Sequence, residues 1–121
     1  MSHLREKLND WTASADGSAG AAQTLTKAAE TGNRHWITGL SVEVMVAIDG
    51  GAGQFGIELR SGSTRKLKWY MSGAAAAGTR FEIQFPRPIP LTISEAANLV
   101  GDDPGTAGRT AMNLMGYTLK G

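Results

Sequence analysis

From Trp36 to Ile48 the chain alternates: Trp36, Thr38, Leu40, Val42, Val44, Val46 and Ile48 share one phase, and Gly39, Ser41, Glu43, Ala47 and Asp49 share the other. Successive side chains of a strand point to opposite faces of its sheet, so this pattern predicts a long β-strand with one buried and one solvated face. The remaining segments are read as what packs around it.

Arg80 to Pro86 repeats the signal, with Phe81, Ile83 and Phe85 inward and Arg80, Glu82 and Gln84 outward. The phase runs on through Ile89, Leu91 and Ile93, while Pro86, Pro88 and Pro90 take the other side. Proline cannot donate to a ladder, so this segment is expected at a sheet edge or crossing between sheets. Phe55, Ile57 and Leu59 turn through Ser61-Gly62-Ser63 into Leu67, Trp69 and Met71, a hairpin whose outer side carries Lys66, Lys68 and Tyr70. Gln23–Ala29 and Ser94–Val100 read as shorter strands. Thr110–Leu119 reads as the last, with Met112 and Leu114 in one phase and Met115, Tyr117 and Leu119 in the other, which predicts a β-bulge near Leu114.

Seven or eight short strands with turn signals between them predict an all-β fold, an antiparallel β-sandwich that is jelly-roll-like or immunoglobulin-like; strand order is not written in periodicity. Sixteen glycines and 7% aromatic residues suit strands and tight turns better than helices. A length of 121 residues fits one domain, placed at residues 22–121. Residues 1–21 end in the small-residue run Ala13–Ala21 and read as an extended N-terminal arm. Within it Leu4, Leu8 and Trp11 fall at helical spacing and are expected to dock on a neighbouring subunit.

The formal charge of +1 is too small to draw the whole domain onto nucleic acid. Residues 34–87, however, hold seven basic groups against four acidic ones. Arg60, Arg65, Lys66 and Lys68 form the core of a basic outer face that solvates an edge or meets an acidic partner surface. Without cysteine there is no disulfide framework or thiol nucleophile. MSHLREKLND lacks the apolar run of a signal peptide, and no stretch is long enough to span a bilayer, so synthesis in the cytoplasm and no membrane partner are expected.

Chemistry is sparse. His3 and His35 are the only histidines, one in the arm and one at the start of a strand, which excludes a two-histidine metal site within the domain. His35 reads as a surface or hydrogen-bonded structural residue. Gly51, Gly53 and Gly56 match G-x-G-x-x-G, but the following Phe55–Arg60 alternates like a strand where a dinucleotide site needs a helix, so no cofactor is expected. Asp102 and Asp103 lack the calcium-loop spacing and read as turn residues. Glu43, Glu58 and Glu82 all fall on outward phases, away from any apolar pocket that would tune an acid catalyst, and the chain is read as non-enzymatic. Trp36, Trp69, Tyr70 and Tyr117 are the candidates for a sugar-stacking platform, but Trp36 and Trp69 fall in the apolar phase and only Tyr70 is clearly outward.

Asn33-Arg34-His35-Trp36-Ile37-Thr38-Gly39-Leu40, Gly78–Leu91 with its Pro86-Arg87-Pro88-Ile89-Pro90-Leu91 corner, and the closing Gly116-Tyr117-Thr118-Leu119 resemble segments of small virion structural proteins of tailed bacteriophages. The resemblance implies a capsid decoration or cement protein that binds between capsomers. Its partners would be the major capsid protein or other virion proteins and its location the virion; a homotrimer is the expected assembly, since cyclic closure lets identical surfaces bury one another. A tail, baseplate or tail-fibre component of the same particle is the alternative, and a carbohydrate-binding module the reading from another class.

Overall fold

The computed structural model describes residues 10–49 and 53–121. Among the described residues eight strands are present: β1 (Asp10–Asp16), β2 (Gln23–Lys27), β3 (Asn33–Val46), β4 (Gln54–Ser61), β5 (Thr64–Ser72), β6 (Arg80–Pro90), β7 (Ala97–Gly101) and β8 (Arg109–Lys120). They form two four-stranded sheets, ordered β1-β8-β3-β6 and β2-β7-β4-β5. All strand pairs are antiparallel.

Every connection except the β4–β5 hairpin carries the chain from one sheet to the other. Two interlocked Greek keys of this kind make an eight-stranded jelly roll. The immunoglobulin-like alternative has its first two strands in one sheet, whereas β1 and β2 lie in different sheets here.

The inner faces meet in an apolar core of Ile37, Leu40, Val42 and Val44 from β3, Phe55, Ile57 and Leu59 from β4, Leu99 from β7, and Met112 and Leu114 from β8. Full burial of each such side chain contributes roughly 1.5–3 kcal/mol. Trp69 packs on the margin of this core against Phe81 and Phe85, with ring centroids 5.8 and 6.1 Å apart. As expected from its prolines, β6 is an edge strand of its sheet.

Three expectations change. First, the continuous phase drawn from Trp36 to Ile48 is broken. Opposite β8, Ile37 pairs with Gly116 and Gly39 with Met115, so Thr38 is an extra residue and β3 is bulged there. Upstream of the bulge His35 and Ile37 point inward; downstream Leu40, Val42 and Val44 do. Trp36 is thereby turned to the outer face.

Second, the bulge expected near Leu114 is absent. Strand β8 keeps one phase throughout, burying Thr110, Met112, Leu114, Gly116 and Thr118 and leaving Met115, Tyr117 and Leu119 on the outer side. The irregularity lies on the partner strand.

Third, residues 10–16 of the expected arm form strand β1, paired in register with β8 from Asp10↔Tyr117 to Asp16↔Ala111. Trp11, Ala13 and Ala15 pack against the core. Within the small-residue run, Ala13 and Ala15 are inward residues of an edge strand.

Candidate functional site

The jelly roll offers two solvent-facing sheet surfaces, and the residues of interest divide between them. On the β2-β7-β4-β5 sheet, β4 and β5 are joined through Gly62, whose φ of 58° lies in the left-handed region open to glycine. That turn sets the register Glu58↔Lys68, Leu59↔Leu67 and Arg60↔Arg65, with Lys66 as an extra, exposed residue at a bulge. Leu59 and Leu67 face in, so Glu58, Arg60, Arg65 and Lys68 are gathered on the outer face.

Glu58 is the hub. Its Oε1 accepts from Arg60 Nε at 2.8 Å and lies 2.8 Å from Arg60 Nη2, while its Oε2 lies 3.5 Å from Lys68 Nζ and 4.0 Å from Arg65 Nη1. The Arg60 hydrogen bond, then the Arg60 charge and Lys68, hold the Glu58 carboxyl below the ordinary carboxylate range against the opposing effect of desolvation. Lys68 sits 5.0 Å from the Tyr70 ring centroid, and its ammonium is held above the ordinary lysine range, first by a hydrogen bond to Tyr70 and then by Glu58. Strands β4 and β5 together carry four cations against this one carboxylate, a surplus of three positive charges. Of the four basic residues singled out in the sequence, Arg60, Arg65 and Lys68 share the Glu58 carboxylate, and Lys66 stands exposed at the bulge outside that network.

On the β1-β8-β3-β6 sheet the outward turn of Trp36 creates a feature that periodicity conceals. Trp36 and Tyr117 are direct cross-strand partners, and their rings are nearly parallel, 11° apart with centroids separated by 6.1 Å. Both are half-buried. Beside Trp36 opens a groove of about 210 Å³ lined by Arg34, Trp36, Leu119, Lys120 and Gly121. The Nε of Arg34 is buried and has no hydrogen-bond partner among the described residues. Trp69, by contrast, serves the core, and Tyr70 stands on the opposite sheet.

The other candidates are structural. His35 is buried, with Nδ1 2.7 Å from Thr118 Oγ1 and Nε2 2.8 Å from the Ala28 carbonyl. A carbonyl only accepts, so Nε2 carries the proton, and Nδ1 accepts from the Thr118 hydroxyl. Asp102 Oδ2 accepts from the Gly56 amide at 2.6 Å, and Asp103 Oδ1 from the Gly105 amide at 2.9 Å, so both aspartates organise loops. Gly56 itself lies within strand β4, which removes the helix that a dinucleotide site requires. Of the three residues assigned to the arm, Leu4 and Leu8 lie outside the described residues. Trp11 is covered by its own chain: its ring lies edge-on to His35 at 5.6 Å and its Nε1 donates to Thr118.

No family model matches the chain, and no curated protein does. Among solved structures it is similar to arabinose-bound MgGH51 α-L-arabinofuranosidase, at 14% identity and a TM-score of 0.46, over 88% of this chain. The chain corresponds to 19% of that protein's length, and a likeness of this strength carries no functional information.

Proposed function

We propose that this chain is a virion structural protein of a tailed bacteriophage, a decoration or cement subunit that stabilises the head by binding between capsomers. One observation carries the reading: the Glu58-centred cluster, in which Arg60, Arg65 and Lys68 are drawn onto one carboxylate and leave a positively charged hairpin on the outside of the sandwich. Such a face meets an acidic shell surface with its cations already in place, so less side-chain freedom is lost on docking. The jelly-roll order, an arrangement used by viral shell and lectin domains, and the resemblance of the strand and corner sequences to phage virion proteins support the same reading. Cyclic self-association as a trimer gives such a subunit matching contacts with three capsomers.

Quantitative mass spectrometry of purified particles tests this. A copy number comparable to that of the major capsid protein is expected. A small fraction of that number moves the protein to the tail or baseplate, and absence from the particle overturns the reading.

A second reading, a carbohydrate-binding module, is favoured by the outward, near-parallel Trp36 and Tyr117 rings. Aromatic side chains on an exposed sheet face combine apolar contact area with a polar edge, the properties that hold a sugar ring.

A further inference from the structure

The groove beside Trp36 combines an aromatic wall with two cations. Arg34 and Trp36 project from the same side of β3, two residues apart, opposite Leu119 and Tyr117 of β8. Leu119, Lys120 and Gly121 complete the lining. Arg34 contributes a further sign: its buried Nε has no acceptor in the described chain. Buried polar groups are normally partnered, so an orphan donor bordering a groove marks a place where a ligand oxygen completes the bonding. A guanidinium matches a carboxylate in geometry as well as charge. The groove's ~210 Å³ lies below the roughly 300–1,000 Å³ of pockets for drug-sized ligands and accommodates a single sugar ring.

Resting on the carbohydrate reading, we infer that this groove binds an acidic monosaccharide unit of a glycan, a pyranose bearing a carboxylate. The ring's apolar face lies against Trp36, and the carboxylate is held by Arg34 with Lys120 nearby. The basic β4–β5 hairpin is on the other sheet, so a shell contact there and a glycan here do not compete.

The test is a heteronuclear NMR titration of the full chain with a glucuronate-containing oligosaccharide, with the corresponding neutral glucose oligomer as control. Saturable shifts of the Trp36 indole N–H and the amides of Arg34, Leu119 and Lys120 are expected, with affinity for the neutral oligomer at least about tenfold weaker. Arg34→Met should weaken acidic-sugar binding about tenfold or more, and Arg34→Lys should restore part of it. Equal binding of both sugars at these residues overturns the acidic specificity while sustaining the carbohydrate reading. Absence of any sugar-dependent shift overturns both. Shifts centred on Arg65–Lys68, or concentration-dependent shifts at Trp36 without sugar, which place a second copy in the groove, overturn the inference. The unmodified chain decides the matter even if Arg34→Met fails to fold.

Discussion

The indole Nε1 of Trp11 donates to the hydroxyl of Thr118 at 2.9 Å, joining positions 107 residues apart. That hydroxyl in turn lies 2.7 Å from Nδ1 of the buried His35, whose Nε2 reaches the Ala28 carbonyl. Three strands and a loop are tied by one relay, and it anchors the edge strand β1 through its largest side chain. Gly116 makes room for it: a Cβ at that position would run into the Trp36 carbonyl oxygen and the Trp11 ring.

Thr118→Val keeps the shape of this side chain but removes its donor and acceptor. Leaving the Trp11 and His35 nitrogens unpaired in a buried site costs about 1–3 kcal/mol. Urea unfolding is expected to show a lower midpoint with an unchanged slope, and Thr118→Ser should recover most of the loss. A midpoint unaffected by Thr118→Val would mean that the relay adds nothing to stability.

The Thr38 bulge puts Trp36 on the outer face, whereas Trp69, on the other sheet, packs at the margin of the core. Trp36→Ala removes an outer-face ring stacked on Tyr117, and the loss is about 0.5–1.5 kcal/mol. Trp69→Ala removes a ring packed against Phe81 and Phe85 and is expected to cost about 3 kcal/mol. Thermal unfolding of the two variants checks the order, which reverses if β3 runs unbroken with Trp36 inside.

Glu58 gives the domain an acid dependence of known sign. Its carboxyl is held below the ordinary range in the folded protein, so the stabilisation is complete above that range and is lost as pH falls through the depressed value. Its cationic partners are substantially solvated, with side-chain exposures of 36% for Arg60 and 57% for Arg65, so the effect is about 1 kcal/mol or less. Denaturation midpoints measured across the acidic range should fall less steeply in Glu58→Gln than in the parent chain. Lys68 acts at the other extreme: its raised value means that its contribution is intact below the ordinary lysine range and disappears as pH rises through the folded value.

What could be read from the sequence follows from the range of the forces involved. The β6 alternation and its prolines are local, and they indicate both the strand and its edge position. The cluster around Glu58 is nearly local, because a short turn at Gly62 brings Glu58, Arg60, Arg65 and Lys68 onto one face. Strand β1 is otherwise: Trp11, Ala13 and Ala15 do alternate with Thr12 and Ser14, but alanines signal burial weakly, and the partners are in β8. Ser14 Oγ donates to Asn113 Oδ1 at 2.6 Å, a contact spanning 99 residues. The bulge at Thr38 arises where β3 must match the registers of both β6 and β8, so its cause lies far away in the chain. Without that bulge the alternation puts Trp36 inside, and the ring pair with Tyr117 follows only from the paired register.

Cosedimentation of the purified chain with phage heads stripped of it tests attachment through the β4–β5 hairpin directly. The parent chain should bind saturably and progressively less well as salt is raised. Arg65→Glu combined with Lys66→Glu, two exposed changes outside the tight Glu58–Arg60 pair, should abolish binding while leaving the β-sheet circular dichroism intact. Binding that ignores both salt and charge reversal, or no binding by the parent chain, would contradict it.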